Sequence, residues 1–449
     1  MKLDLTYSEA AQACGGTLTR GAGTDRFDVI VTDSRQAKPG TVFLALAGKV
    51  HDAHKFLPQA VSAGADGIIV RRGTADLPAR SPAHMIETDD TLRALQNLAA
   101  WHRGRFDLKI AAVTGSNGKS TTKEMLRAIF TAAGTTCASK GNLNNQYGVP
   151  LSLFELTRDD RYAAFELGAS QEGDIDEIAR LVRPDIGIIT NVSPAHLEFF
   201  HDTETVYRTK TELANHINPG GTLVYNLDNR YLRRLKTQYG RPALSFGTDA
   251  AADFRPAART GGFTIAGPGI SLEINRILPA HNLLNACGAA AAAWRLGIGP
   301  ELIKRGLEEF TPMPMRLQLE EKKGALFILD AYNANPASMQ AALSALFEGE
   351  YRHPLVAVLG DMKELGEQSA VLHRELGQWL SAKKPDMVFL AGPEILPALE
   401  PLEKSGLKVQ YAPDYRTLLD SIRQSLSAGG TCLVKASRAM GFEAIFQEF

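Results

Sequence analysis

Cysteine is scarce: four thiols in 449 residues, at positions 14, 137, 287 and 432, form no CxxC pair. Such spacing builds neither a disulfide framework nor a zinc site, and it suggests a reducing compartment with buried, apolar thiols. Aromatic residues make up only 7% and charged residues 22%, against 44% hydrophobic. These are ordinary globular proportions, which argue against long disorder and fibrous repeats. No sign of charge dominates, because 49 Lys plus Arg against 50 Asp plus Glu leave a net charge of −1. A broad basic field for nucleic acid or anionic lipid is therefore missing, and no nucleic-acid partner is expected. Long apolar runs are missing as well. The opening residues also lack a basic stretch followed by an apolar one, so no membrane span is expected and a cytoplasmic location is. The most apolar segment, ACGAAAAAW at 286–294, is short and reads as a buried helix face.

What is present is length. At about 150 residues per domain, the chain has room for roughly three domains with separate cores. No internal repeat appears, so the domains should differ from one another. Residues 1–106 carry short apolar runs at 29–31, 42–46 and 67–70 between turn residues, the pattern of a small α/β unit. Residues 107–313 open with a β-prone run at 108–113, then a glycine-containing turn and an amphipathic stretch at 120–133. Further runs at 163–167, 186–190 and 222–226 alternate with helical stretches, which argues for βαβ units on a mainly parallel sheet. The prolines at 312 and 314 deny the chain a helix there and mark a hinge. Residues 314–449 then repeat the alternation, with strands expected at 326–329, 355–359, 387–390 and 432–434 and helices at 338–346 and 371–380. This is a second doubly wound sheet with its own switch point.

The strongest single signal is TGSNGKS at 114–120, between an expected strand and an expected helix. Gly115 and Gly118 let backbone N–H groups turn toward an anion, and the helix N-terminus adds favourable charge. Lys119 can bridge terminal phosphates and the Ser120 hydroxyl can ligate Mg²⁺, as in a P-loop. The standard GxxxxGK[ST] spacing would place glycine at 113, where this chain has Val113, so the match is to a shorter GxxGKS form. The alternative is an incidental glycine turn. Glu166 ends an expected strand and reads as a metal ligand or as a solvated or capping carboxylate. His196 reads as a metal ligand or as a hydrogen-bonded loop residue. Lys210, on an expected helix, reads as a surface lysine. Two amide-rich segments, GNLNNQYG at 141–148 and DAYNANP at 330–336, suit polar ligands, or else form Asx turns.

Together these motifs resemble the ATP-dependent Mur ligases of peptidoglycan synthesis, over essentially the whole chain. The resemblance rests on TDSR at 32–35, residues 43–48 and 51–54, TGSNGKS, GNLNNQYGVP, FELGAS, PAHLE, and PAHN with Asn285. It continues through DAYNANPASM from Asp330, LGDMKELG from Leu359 and VKASRAM from Val434. The glycine loop is common to Mur ligases and folylpolyglutamate synthases, whereas YNANP and GDMKELG point to the branch that adds D-alanyl-D-alanine to a UDP-N-acetylmuramoyl-tripeptide.

The resemblance implies an α/β protein of three domains: a uridine-nucleotide-binding domain, a P-loop-like central ATPase domain and a Rossmann-like C-terminal domain. It implies ATP and Mg²⁺ as cofactors, two small-molecule substrates and a monomer. Thr114, Gly115, Ser116, Asn117, Gly118, Lys119, Ser120 and Thr121 would hold ATP, with Asn282, Asn285, Arg316 and Asp330. Ser120 and Glu166 resemble ligands of one Mg²⁺. His196 resembles a ligand of a second, and Lys210 the family lysine that becomes a carbamate, an oxygen ligand suited to a hard cation. Ser34 and Arg35 resemble uridine-nucleotide contacts, and Asn142, Asn144, Asn145, Tyr332, Asn333 and Asn335 further substrate contacts. Departures are few: Ser120 for a commoner threonine, Leu329 for an aspartate, and Ala53, Phe200 and Ala436 where glycine is usual. A glycine needed for positive φ would force a local backbone shift at those three.

Two rival readings stand beside this one. A Mur or folylpolyglutamate-type ligase adding a single amino acid shares the loop. A P-loop switch ATPase also shares it, but has no need of the amide-rich segments.

Overall fold

Alternation of apolar runs with turn residues becomes strand and helix where expected. The computed structural model describes residues 3–48, 52–74, 82–383 and 385–449, so His51 of the 51–54 motif lies outside the described residues. The chain divides into two compact units: Met1–Ala112 with Gly134–Gly168 and Asp174–Asp185, and Val113–Ala133 with Ala169–Gly173 and Ile186–Phe449.

In the first unit, a five-stranded sheet runs in the order Thr17–Arg20, His84–Thr88, Gly67–Arg71, Thr41–Leu44, Val29–Val31. Its last four strands are parallel and the first is antiparallel. Phe43, Ile68 and Val70 bury themselves against Leu57, Ala60 and Val61 of the helix at Leu57–Ser62. Asp90 caps the helix Thr91–Arg103 by accepting from the Leu92 and Arg93 amides, which satisfies two of the donors that every helix start leaves over. The strand Tyr162–Glu166 pairs in parallel with Thr136–Ala138, so its last residue, Glu166, sits at a carboxyl edge.

In the second unit, Ile186–Ile189, Thr222–Asn226 and Ala243–Phe246 form parallel pairs in that order. The helix Lys119–Ala133 packs on the helix Pro300–Glu309 through Gly306, where a Cβ would approach the Ile129 backbone to 2.3 Å. Only glycine permits that approach. The alanine-rich segment lies in the helix Ala280–Arg295, whose residues from Asn285 to Ala293 are all buried, as the sequence predicts. An antiparallel sheet of Arg255–Arg259, Gly262–Gly267 and Ile270–Ile274 was not expected. Its last strand alternates buried and exposed residues, the period-two signal that marks a half-buried strand.

The C-terminal sheet runs Gln318–Lys322, Ala325–Leu329, Gly430–Lys435, Leu355–Gly360, Met387–Ala391, Val409–Ala412. All its strands are parallel except the first. Phe327, Val356, Val358 and Phe389 enter one core, whereas Ile328, Ala357, Leu359 and Leu390 enter the other. Covering on both faces explains why these strands read as continuous apolar runs. All four cysteines are buried and free, and burial pushes the Cys137 thiol up to about 12. Among the described residues, no helix is long and apolar enough to cross a membrane.

Candidate active site

The loop between Thr114 and Lys119 is built on two glycines with positive φ. At Gly115 (φ 143°) a Cβ would lie 2.0 Å from Thr190 Oγ1, and at Gly118 (φ 79°) it would lie 2.5 Å from Asn285 Oδ1. Either side chain would push the loop off its neighbours. Asn191 fixes the loop's shape: its carbonyl accepts from the Ser116 amide at 3.0 Å and its Oδ1 from the Asn117 amide at 2.8 Å. Those two N–H groups are thereby used internally. The helix Lys119–Ala133 starts at the end of this loop, and a helix N-terminus favours negative charge. Lys119 Nζ donates back to the Gly115 and Ser116 carbonyls at 2.9 and 3.3 Å.

Ser116 to Thr121 line a cleft with Asn282, Asn285, Arg316, Asp330, Tyr332 and Asn333. Arg316 donates to Ser120 Oγ at 2.9 Å, stacks 4.2 Å from the Tyr332 ring centre, and keeps a buried Nε without a hydrogen-bond partner. Asp330 accepts from buried Lys435 at 2.6 Å, where the strands Ala325–Leu329 and Gly430–Lys435 both end. Burial holds the His281 imidazole, also in the cleft wall, below its ordinary pKa. Asn335 caps the helix Pro336–Glu348 and exchanges two side-chain hydrogen bonds with Asn117.

His196, Lys210 and Lys119 share a second, small cavity with Phe200. Lys210 is not the surface lysine its helix position suggests: it is 2% exposed, with Nζ 5.7 Å from the Phe200 ring centre. Phe200 is itself buried and does not take positive φ, and neither do Ala53 and Ala436. The left-handed residues here are His196 (φ 53°) and His201 (φ 63°), so the missing glycine forces no shift at Phe200. His196 Nδ1 bonds the Glu364 carboxylate, and this hydrogen bond holds the Glu364 carboxyl below the usual carboxylate range.

The remaining predicted residues belong to the first unit. Glu166 is 2% exposed; its Oε1 accepts from Asn144 Nδ2 at 2.8 Å, whereas its Oε2 is buried with no hydrogen-bond partner. It is therefore neither solvated nor a cap. Asn145 accepts from the Tyr147 and Gly148 amides, the Asx arrangement given as the alternative for this segment, and Asn142 is exposed. Ser34 is buried and donates to Gln59, and Arg35 is exposed in a pair with Asp33. Residues not singled out from the sequence are Asn191, Asn226, Lys435 and Glu364. The first three each stand at or just beyond the carboxyl end of a parallel strand, a polar position that could have flagged them.

The chain is similar to known proteins over most of its length. Residues 113–293 match the Mur ligase middle domain, and residues 315–438 match the Mur ligase, glutamate ligase domain. The chain is 34% identical to the UDP-N-acetylmuramoyl-tripeptide--D-alanyl-D-alanine ligase of Escherichia coli over 458 aligned positions, covering 99% of this chain and 98% of that one. A crystal structure of MurF from Acinetobacter baumannii superposes with a TM-score of 0.91 at 32% identity, over 99% of this chain and 98% of the other. The MurF ligase of Thermotoga maritima, solved in complex with ADP, does so at 0.82 and 29%, over 94% and 96%.

Proposed function

The chain belongs to the Mur ligase family, and we propose that it joins D-alanyl-D-alanine to UDP-N-acetylmuramoyl-tripeptide with ATP in peptidoglycan precursor synthesis. The observation that carries the reading is the cleft where the glycine loop, Ser120, Arg316, Asn282 and Asn285 converge beside Lys119. The tripeptide's terminal carboxylate has no usable leaving group. Its oxygen attacks the γ-phosphorus of ATP, the bond to ADP breaks, and an acyl phosphate forms. The dipeptide amine then attacks the carbonyl carbon, a tetrahedral intermediate collapses, and phosphate leaves with its bonding electrons while the amine gives up a proton to solvent. Lys119 and Arg316 balance charge on the phosphoryl oxygens, and the first-turn amides orient them.

The donor set suits Mg²⁺. Ser120 offers a hydroxyl, and Glu166 a buried carboxylate oxygen lacking a hydrogen-bond partner, the oxygen chemistry a hard cation takes. Among the described residues, no three His, Cys, Asp or Glu side chains cluster for a metal. His196, with Lys210 as a carbamate, would serve a second ion. Bound Mg²⁺ supplies charge neutralisation on the phosphates. Ser34 and Arg35 are proposed for the uridine nucleotide, and Asn142, Asn144, Asn145, Tyr332, Asn333 and Asn335 for the remaining substrate. The proposed domains are 1–106, 107–313 and 314–449, and the enzyme is proposed to be a cytoplasmic monomer.

Incubation with ATP and both substrates is the test. Phosphate release that needs tripeptide and dipeptide together, with a UDP-muramoyl-pentapeptide in the mass spectrum, is expected. Phosphate release indifferent to both would sink the ligase and favour the switch ATPase.

A further inference from the structure

Glu364 lies on the turn that follows the strand Leu355–Gly360, and everything before it in that turn is tied down. The buried Asp361 carboxylate accepts from the Glu394 and Ile395 amides and from Lys363 Nζ. The Met362 amide donates to His373 Nε2, and the Lys363 amide donates to Ser437 Oγ. From this anchored base the chain enters a left-handed conformation at Glu364 (φ 64°), which favours glycine. His196, its partner, is left-handed too. The two segments are also joined through the backbone, with the Glu198 amide donating to the Glu364 carbonyl at 3.2 Å. Two non-glycine residues in unfavourable conformations, held face to face, argue for a geometry imposed by the surrounding fold.

His196 lines the cavity that holds Lys119 and Lys210. With Nδ1 committed to Glu364, the ring is a donor at Nδ1, and Nε2 is the nitrogen left with a lone pair to serve that cavity. We propose that Glu364 is the positioning residue for His196, fixing its tautomer and ring orientation so that Nε2 can ligate a divalent cation beside the phosphates. A carboxylate behind a ligating imidazole raises its basicity and removes its freedom to turn. The inference rests on the ligase reading above, because that reading supplies the cation.

The test uses histidine-labelled ¹⁵N protein, full chain, with the His196 signals assigned by their loss in His196→Gln. Wild type is expected to show Nδ1 protonated and Nε2 unprotonated in the neutral ring. Glu364→Ala should release the ring into the mixed tautomers of a free imidazole, and Glu364→Gln, which keeps an acceptor, should largely preserve the wild-type pattern. Mn²⁺ titrated into the ATP-bound protein, read by electron paramagnetic resonance, should bind about 10–100-fold more weakly to Glu364→Ala. Glu364 is half-exposed, so these variants should fold, which thermal melting checks. A His196 tautomer that ignores Glu364→Ala, or an unchanged Mn²⁺ affinity, overturns the proposal. The tautomer measurement needs no turnover. A chain that fails to ligate the dipeptide but shows the tautomer response loses the ligase reading alone.

Discussion

Asn117 and Asn335 exchange two side-chain hydrogen bonds, at 3.2 and 2.8 Å, across 218 residues of sequence. One amide stands in the glycine loop and the other caps the helix Pro336–Glu348, where its Oδ1 also accepts from the Ser338 amide. The two roles can be separated. Asn335→Ala loses both and should destabilise the protein by about 1 kcal/mol or somewhat more in urea unfolding. Asn335→Asp keeps the cap but replaces the donor to Asn117 with an acceptor. It should keep the cap's share of the stability while kcat/KM for ATP falls. An aspartate variant with unchanged kcat/KM would show that the amide pair serves the cap alone.

Lys119→Ala should lower ligation at saturating substrates by about 100-fold or more, the scale of losing one charge-stabilising donor. Its Nζ donates to loop carbonyls, whose other hydrogen bonds remain, so the melting temperature should hold. Near-normal turnover would remove Lys119 from the chemistry.

Lys210→Ala empties a buried position beside Phe200. Turnover is expected to fall by about 100-fold or more if the residue supplies a carbamate oxygen, a group as costly to remove as other charge-stabilising ligands. Added short carboxylates should recover part of it. A variant as active as wild type would show that no carbamate is needed.

These residues differ in how far the sequence announces them. The glycine loop was legible because its chemistry is local: the strand Lys109–Thr114 and the helix Lys119–Ala133 fall within a residue of their expected bounds. The C-terminal strands were legible too, since burial on both faces makes them continuous apolar runs. The burial of Lys210 was not, because a lone lysine on an amphipathic helix carries no mark of the aromatic ring that will cover it. Glu364 was not either. Its partner lies 168 residues away, and nothing in GDMKELG encodes that distance.

Glu166→Gln should separate stability from activity. The native Oε2 is a buried carboxylate oxygen with no hydrogen-bond partner, an arrangement that weakens the fold by about 1–3 kcal/mol. The neutral amide carries less desolvation penalty, so urea unfolding should show equal or greater stability. Activity and apparent Mg²⁺ affinity should fall together. A glutamine variant that is both less stable and fully active would mean that Glu166 is a structural residue.

His102 supplies a pH dependence of stability. It is buried, its Nε2–H donates to the Leu156 carbonyl at 3.1 Å, and its Nδ1 has no partner. Burial lowers its pKa from 6.5 to about 4. The unfolded chain therefore binds this proton more readily than the folded one. The stabilisation is fully present above about 6.5, is lost progressively as pH falls, and is gone once pH passes below about 4. A span of this size corresponds to about 3 kcal/mol. His102→Gln retains a donor for Leu156 and removes the titration, so its stability should vary less than wild type between pH 7 and pH 4. Parallel stability curves for the two proteins over that range would show that His102 is not the acid-sensitive group.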